Sequence, residues 1–447
     1  MEKNFPSFPT AALSSDQNGL TIMPKQKILV VGTTIDYVEI LNSRFQNRLI
    51  FLTDEEERGK SENSKENNLQ EIVVDLENSD RAQQILFKYL KEQDIKLSGV
   101  VCFDCESLAL ASTIAQQYEL PFPTAESIMN CRSKFRSKDL WAKNGVSCPK
   151  AKLIKTEEDA LEFFKQLKAP AVLKPLSSSG SELVFLCKNE EQCREAYRIM
   201  SEKLKNSLNR RMYTSQNMRD EENPRDTVVM EEYIGGDEYS CDFVLENKTV
   251  SVIRLTRKYY DERSTFGTMQ AYQLPAELPS SISLADLESF LLKAAHSLGL
   301  TRSITMVDFK IYNGRIYLIE MTPRPGGDCL PILIEASSGF DIFSAALDFS
   351  EGKSVQWPKK TDWNPVVGLH LIATQRGVLK KLDVQSAEHD PRFVRCYRKR
   401  FDGESIELPP DDYDSRLLGF VLFKPSSGIS ISQQCGEILK NITIEVE

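Results

Sequence analysis

The chain has 447 residues, of which 41% are apolar and 27% charged, with a formal net charge of -9 and a pI near 5.3. That length exceeds one ordinary core and predicts two to three domains, and the acidity argues against a general nucleic-acid or anionic-membrane binder while leaving room for a local basic cleft. No apolar run reaches the length of a membrane span, and ten scattered cysteines suit a reducing cytoplasm better than a disulfide framework.

Residues 1–24 lack the apolar stretch of a signal peptide and read as a disordered tail. From 25 to 130, the strand-like runs KILVVGTT, NRLIFLTD, EIVVDL and GVVCFD alternate with SDRAQQILFKYLKEQD and SLALASTIAQQYEL, which read as helices. Such alternation predicts a parallel α/β sheet. Gly32 stands alone in the first strand-to-helix turn, so the G-x-G-x-x-G dinucleotide pattern is missing. The CFDC run at 102–105 lacks the second ligand pair zinc needs, and Glu106 adds charge unfavourable to a thiolate.

A second segment, 131–355, opens with a helix that stops at Asn144-Gly145. In AVLKPLSSSGS, Lys174 closes an apolar strand and is followed by a small-residue loop containing Ser179 and Gly180. Backbone N–H groups of such a loop can fold over phosphate oxygens while the lysine supplies a point charge; a surface lysine before a flexible loop is the alternative. The polar run 206–226 has few apolar anchors and reads as a mobile insertion. In VVMEEYIGGDEYS, Glu231 and Glu232 end an apolar strand, suited to an adenine edge, and Glu238 could accept a ribose hydroxyl; a solvated acidic turn is the alternative. The loop 254–275, rich in arginine, lysine and tyrosine, is a candidate substrate loop in which Arg257 and Lys258 could pair with a carboxylate. The last segment, 356–447, reads as a mixed domain of short strands, and His296 and His370 read as packing residues.

The most informative stretch is MVDFKIYNGRIYLIEMTPRPGGD, residues 306–328. Alternation about the Asn313-Gly314 turn lets Asp308 and Glu320 face one another across a hairpin. Two like charges so placed repel unless a cation sits between them. Hard oxygen ligands suit Mg²⁺, with Mn²⁺ as the alternative. Arg324 offers a fork for a phosphate or carboxylate.

In their order along the chain these motifs resemble the ATP-grasp superfamily, in particular its carboxylate-amine (L-amino-acid) ligase branch. The resemblance implies an α/β (α+β overall) ATP-grasp fold with an N-terminal Rossmann-like pre-ATP-grasp domain (25–130), an ATP-grasp domain (131–355) and a C-terminal lid domain (356–447). It implies that Lys134, eleven residues before Gly145-Val146, and Lys174 bind ATP phosphates. Glu231, with the backbone of Glu232, Tyr233 and Ile234, then corresponds to the adenine strand and Glu238 to the ribose acid. Asp308 and Glu320 correspond to the metal acids and Arg324 to the catalytic arginine. The family's Glu-x-Asn-x-Arg motif reads here Glu320-Met321-Thr322-Pro323-Arg324, so Thr322 stands where an amide carbonyl would reach the second metal. The run GGDCLPILIEASSG resembles the acceptor loop, with Gly326 and Gly327 and with Asp328 or Glu335 as partners for a substrate ammonium. The implied reaction joins a carboxylate to an amine through an acyl phosphate, releasing ADP. A homodimer is also implied as an option. A biotin-carboxylase-like ligase shares the nucleotide motifs, and Thr322 keeps open a catalytically weak ATP-binding regulator.

Overall fold

The computed structural model describes residues 25–59, 69–207, 209–214, 222–246, 248–261 and 264–447. The expected tail at 1–24 and the centre of the expected insertion lie outside them. Four strands, β1 (Lys25–Val31), β2 (Leu49–Asp54), β3 (Glu71–Val74) and β4 (Ile95–Val101), form a parallel sheet in the order β3-β2-β1-β4. Their apolar runs are buried on both faces, which is why they read as continuous rather than alternating. The helices Ile35–Phe45, Ser79–Glu92 and Leu108–Gln117 cover them.

A second, antiparallel sheet has the order β5-β8-β6-β7, from β5 (Ala151–Ile154), β6 (Ala171–Pro175), β7 (Phe185–Cys187) and β8 (Val228–Glu232). The helices Glu157–Leu167 and Glu190–Asn206 pack on it around Cys193, Ala196 and Met200. The polar run 206–226 is held at both of its described ends. Met212 and Tyr213 are buried, Arg211 pairs with Asp104 at 3.3 Å and Asp54 at 3.8 Å, and buried Glu222 meets Arg136 at 3.0 Å. Two apolar plugs and two charged side chains thus anchor a run whose composition alone predicts mobility.

The largest sheet carries eight strands. Five come from the middle of the chain: β9 (Asp237–Glu246), β10 (Thr249–Tyr260), β11 (Met269–Leu274), β12 (Ser303–Tyr312) and β13 (Arg315–Thr322). The C-terminal segment contains β14 (Val366–Ile372), β15 (Gly377–Asp383), β16 (Phe393–Arg398), β17 (Ser405–Ile406), β18 (Leu417–Phe423) and β19 (Thr443–Val446), of which β14, β16 and β18 complete the eight. The large sheet runs β13-β12-β9-β10-β11-β14-β18-β16, and a small one runs β17-β15-β19. So the C-terminal segment continues the large sheet through the β11–β14 ladder rather than standing apart. Among the described residues no single helix is long and apolar enough to cross a membrane.

Candidate active site

The hairpin β12–β13 turns at Asn313-Gly314, where both residues have positive φ (49° and 72°), the backbone a two-residue type I′ turn requires. A bulge between Asp308 and Phe309 shifts the turn's register by one residue and so sets Asp308 directly opposite Glu320 and Met306 opposite Thr322. Without that shift the turn would set Asp308 opposite Ile319.

Lysines converge on these acids. Lys134 begins the helix Lys134–Lys143, with its Nζ 3.6 Å from Glu320 Oε2 and donating to the Ser178 carbonyl at 2.9 Å. One turn on, Lys138 pairs with Glu231 at 2.9 Å and donates to the Ile319 carbonyl. Lys174 approaches the other oxygen of Glu231 at 2.7 Å. Burial alone would raise the Glu231 carboxyl, but Lys138 and Lys174 outweigh it and hold the group below its ordinary value. Lys138 is fully buried, and that burial outweighs Glu231 and lowers its ammonium to about 8. Glu320 is held down to about 2, against burial, by Lys134, Lys174, Lys258 and Lys138.

Asp308 behaves oppositely. Burial, with Glu320 and Glu238 adding like charge, raises its carboxyl despite Lys258. Its Oδ2 takes Lys258 at 2.8 Å, while Oδ1 is buried with no hydrogen-bond partner among the described residues. An unpartnered buried carboxylate oxygen facing a second carboxylate fits a divalent cation.

The expected substrate cations sit elsewhere. Lys258 bridges Glu238 and Asp308, each at 2.8 Å, so its charge is spent inside the acid cluster. Arg257 points outward onto Asp237 and the Tyr259 ring. Glu238, besides Lys258, receives Tyr260 and lies 3.8 Å from Lys310. In the strand expected to line adenine, the N–H groups of Glu232 and Tyr233 donate to Lys150 and Pro170, and the Ile234 carbonyl receives Lys310. Ser179 and Gly180 stand exposed in the turn after β6, Gly180 at φ 62°. Glu335 is turned to the surface, where Arg44 takes it at 3.0 Å; a helix face, not the loop, sets its direction.

Arg324 is clamped. Its Nε and Nη2 reach the Cys105 sulfur at 3.3 and 3.1 Å, and Nη1 donates to the Pro325 carbonyl at 2.7 Å. The Gly326-Gly327 loop beyond it rests on a fully buried ion pair, Arg254–Asp242 at 2.8 Å. Asp242 Oδ1 accepts the Gly326 N–H at 3.0 Å, and a Cβ at Gly326 would lie 2.5 Å from Arg254 Nη2. Only glycine allows that approach. Asp328 pairs with His370 at 2.8 Å, which lowers the carboxyl and raises the imidazole, in each case against burial. So His370, expected as packing, is the polar partner of Asp328 at the loop, whereas His296 faces solvent.

Sequence reasoning missed Lys138, Asp242, Arg254 and Cys105. Lys138 had a signal, four residues after Lys134 and so on the same helix face. The others depend on three-dimensional contact between segments far apart in the chain.

With lysines gathered about two facing carboxylates, the chain can be compared with known proteins. Residues 167–332 match the ATP-grasp domain family. The chain carries an ATP-grasp domain over these residues. It is 27% identical over 207 residues to a D-alanine–D-alanine ligase of Pelagibacter ubique, covering 44% of this chain and 60% of that protein. The D-alanine–D-alanine ligase of Acidovorax ebreus is 24% identical over 255 residues, 53% of this chain and 69% of that one. Among solved structures, an L-amino acid ligase from Bacillus licheniformis superposes with a TM-score of 0.78 at 18% identity, covering 95% of this chain and 99% of that chain. A biotin carboxylase from Campylobacter jejuni gives 0.61 at 16% identity, covering 94% and 92%. These superpositions place the ATP-grasp fold over nearly the whole chain.

Proposed function

We propose that this protein is an ATP-dependent carboxylate-amine ligase with an amino acid as one substrate. The observation that carries the reading is the in-register pair Asp308–Glu320, one oxygen of it unpartnered, facing the lysine cluster. In the proposed reaction a carboxylate oxygen attacks the γ-phosphorus of ATP, and ADP departs with the electrons of the broken P–O bond. An amine nitrogen then attacks the acyl carbon, loses a proton, and expels phosphate. Such transfer needs positioning and charge neutralisation more than a side-chain base.

Lys134 and Lys174 would receive phosphate oxygens, with Glu231 holding Lys174 in place. Glu238 would accept the ribose hydroxyl. A divalent cation, Mg²⁺ or Mn²⁺, would be held by Asp308 and Glu320 beside Thr322 and would neutralise charge on the phosphates. Arg324 would receive the substrate carboxylate with the N–H donors that Cys105 and Pro325 leave unused.

The test is nucleotide product formation with Mg²⁺-ATP across a panel of amino acids, small carboxylates and bicarbonate, separating ADP from AMP. ADP that appears only with particular carboxylate–amine pairs supports the reading, and AMP overturns it. ADP with bicarbonate alone would favour the carboxylase-like alternative. Firm ATP binding without turnover would favour a regulator.

A further inference from the structure

We propose that Tyr37, on the opening helix of the first domain, is a substrate-binding residue that donates its hydroxyl to the carboxylate received by Arg324. This rests on the ligase reading of the cleft and adds a residue from outside the matched ATP-grasp segment.

The ring is fixed independently of its hydroxyl. It packs edge-on against Phe343 at 5.2 Å and tilts over Phe103 at 6.2 Å. The Oη atom is buried and has no hydrogen-bond partner among the described residues. A buried hydroxyl left unpaired is unfavourable, so its retention points to a partner that the described residues do not supply. Burial drives the phenol far above its ordinary range, which keeps it a hydrogen donor.

Its aim is defined by Gly327. A Cβ built there would lie 3.5 Å from Arg324 Nη1 and 3.8 Å from Tyr37 Oη. The guanidinium and the phenol therefore converge on one point above the loop, from two domains. Two kinds of donor converging on one point suit an oxygen-rich anion. Gly327 is not among the glycines with positive φ, so alanine is tolerated by the backbone and its methyl would occupy that point.

The test uses Tyr37→Phe and Gly327→Ala in the full chain. Thermal melts are taken alone, with Mg²⁺ and a non-hydrolysable ATP analogue, and with each standard L-amino acid added to that mixture. Tyr37→Phe alone should melt at or above the wild type, because it removes an unpaired hydroxyl and keeps the ring. It should bind the analogue normally and bind the stabilising amino acid about tenfold more weakly, the loss of one hydrogen bond to a charged group. Gly327→Ala should keep analogue binding and lose the amino-acid shift. A lower melt for Tyr37→Phe, unchanged amino-acid affinity in either variant, or a wild type that no amino acid stabilises overturns the proposal. These outcomes are read from binding, so they stay separate from ADP release: turnover with an unaffected Tyr37→Phe would leave the ligase reading standing without Tyr37.

Discussion

Glu320 and Asp308 are chemically similar acids on facing strands, yet their surroundings drive them apart. Four lysines outweigh burial at Glu320, while burial and two neighbouring acids outweigh Lys258 at Asp308. Glu320→Gln keeps shape and removes charge, so metal-dependent turnover should be abolished while circular dichroism and the melt stay near wild type. Normal turnover in that variant would move the metal elsewhere. Lys174→Ala should weaken ATP binding about tenfold or more, as a phosphate loses a charged partner; titration of an ATP analogue reads it directly. The Asp328–His370 pair makes a pH prediction. The imidazole is raised above 6.5 in the folded chain, so its contribution is fully present below 6.5 and fades as pH rises through the folded value. The carboxyl is lowered below 3.8, so its own contribution is present above 3.8 and lost in acid. Melts of wild type and Asp328→Asn should therefore differ most between those limits, by on the order of 1 kcal/mol, and converge in alkali. A gap that stays constant from that window into alkali would show that the pair is not what separates them.

Among the elements, the hairpin and the glycine loop show what sequence reveals and what it hides. Asn-Gly between alternating apolar runs is a local signal, because turn chemistry alone demands positive φ at both positions, whereas the pairing of Asp308 with Glu320 also needs the one-residue bulge, which no turn signal announces. The parallel strands of the first domain were equally legible through their uninterrupted apolar runs. The loop after β13 was not. Its position depends on Asp242 of β9 and Arg254 of β10, more than seventy residues upstream, whose charges read like any other polar side chains until the strands bury them together. The same limit applied to Lys258, Arg257 and Glu335: composition marked the first two as candidate substrate contacts and the acceptor-loop resemblance marked the third, but strand register and helix phase decide which way each points. Arg254→Leu tests the supporting role of the pair. It strands a buried carboxylate, which costs about 3–5 kcal/mol, and it frees Gly326. Chemical denaturation should register that loss. Double replacement with apolar residues should recover much of it, and a single variant as stable as wild type would remove the pair from any role in holding the loop.

On the scale of the whole molecule, the small sheet β5–β8 is tied to both of its neighbours. Arg211 reaches Asp104 and Asp54 at the carboxyl ends of the first domain's strands, and it donates to Ser107. On the other side Lys203 pairs with Asp411 at 2.6 Å. Asp104 does more than receive Arg211: it accepts the Thr33 and Ser107 N–H groups, and the next residue, Cys105, holds Arg324. A contact made by the small sheet therefore ends one residue from the arginine expected to bind substrate. Arg211 is mostly shielded from solvent, whereas the Lys203–Asp411 pair is more open, so Arg211 should carry more of the tie. Arg211→Gln should loosen the small sheet without unfolding it, because Met212 and Tyr213 keep their buried positions. Hydrogen exchange should speed up in peptides spanning 171–175 and 228–232, while peptides from the first domain's strands keep their protection. The same variant should bind substrate more weakly through Arg324 even though neither residue touches the other. Unchanged exchange in the small sheet would show that the apolar plugs alone hold it. Faster exchange with unaltered substrate affinity would show that Asp104 does not link the two.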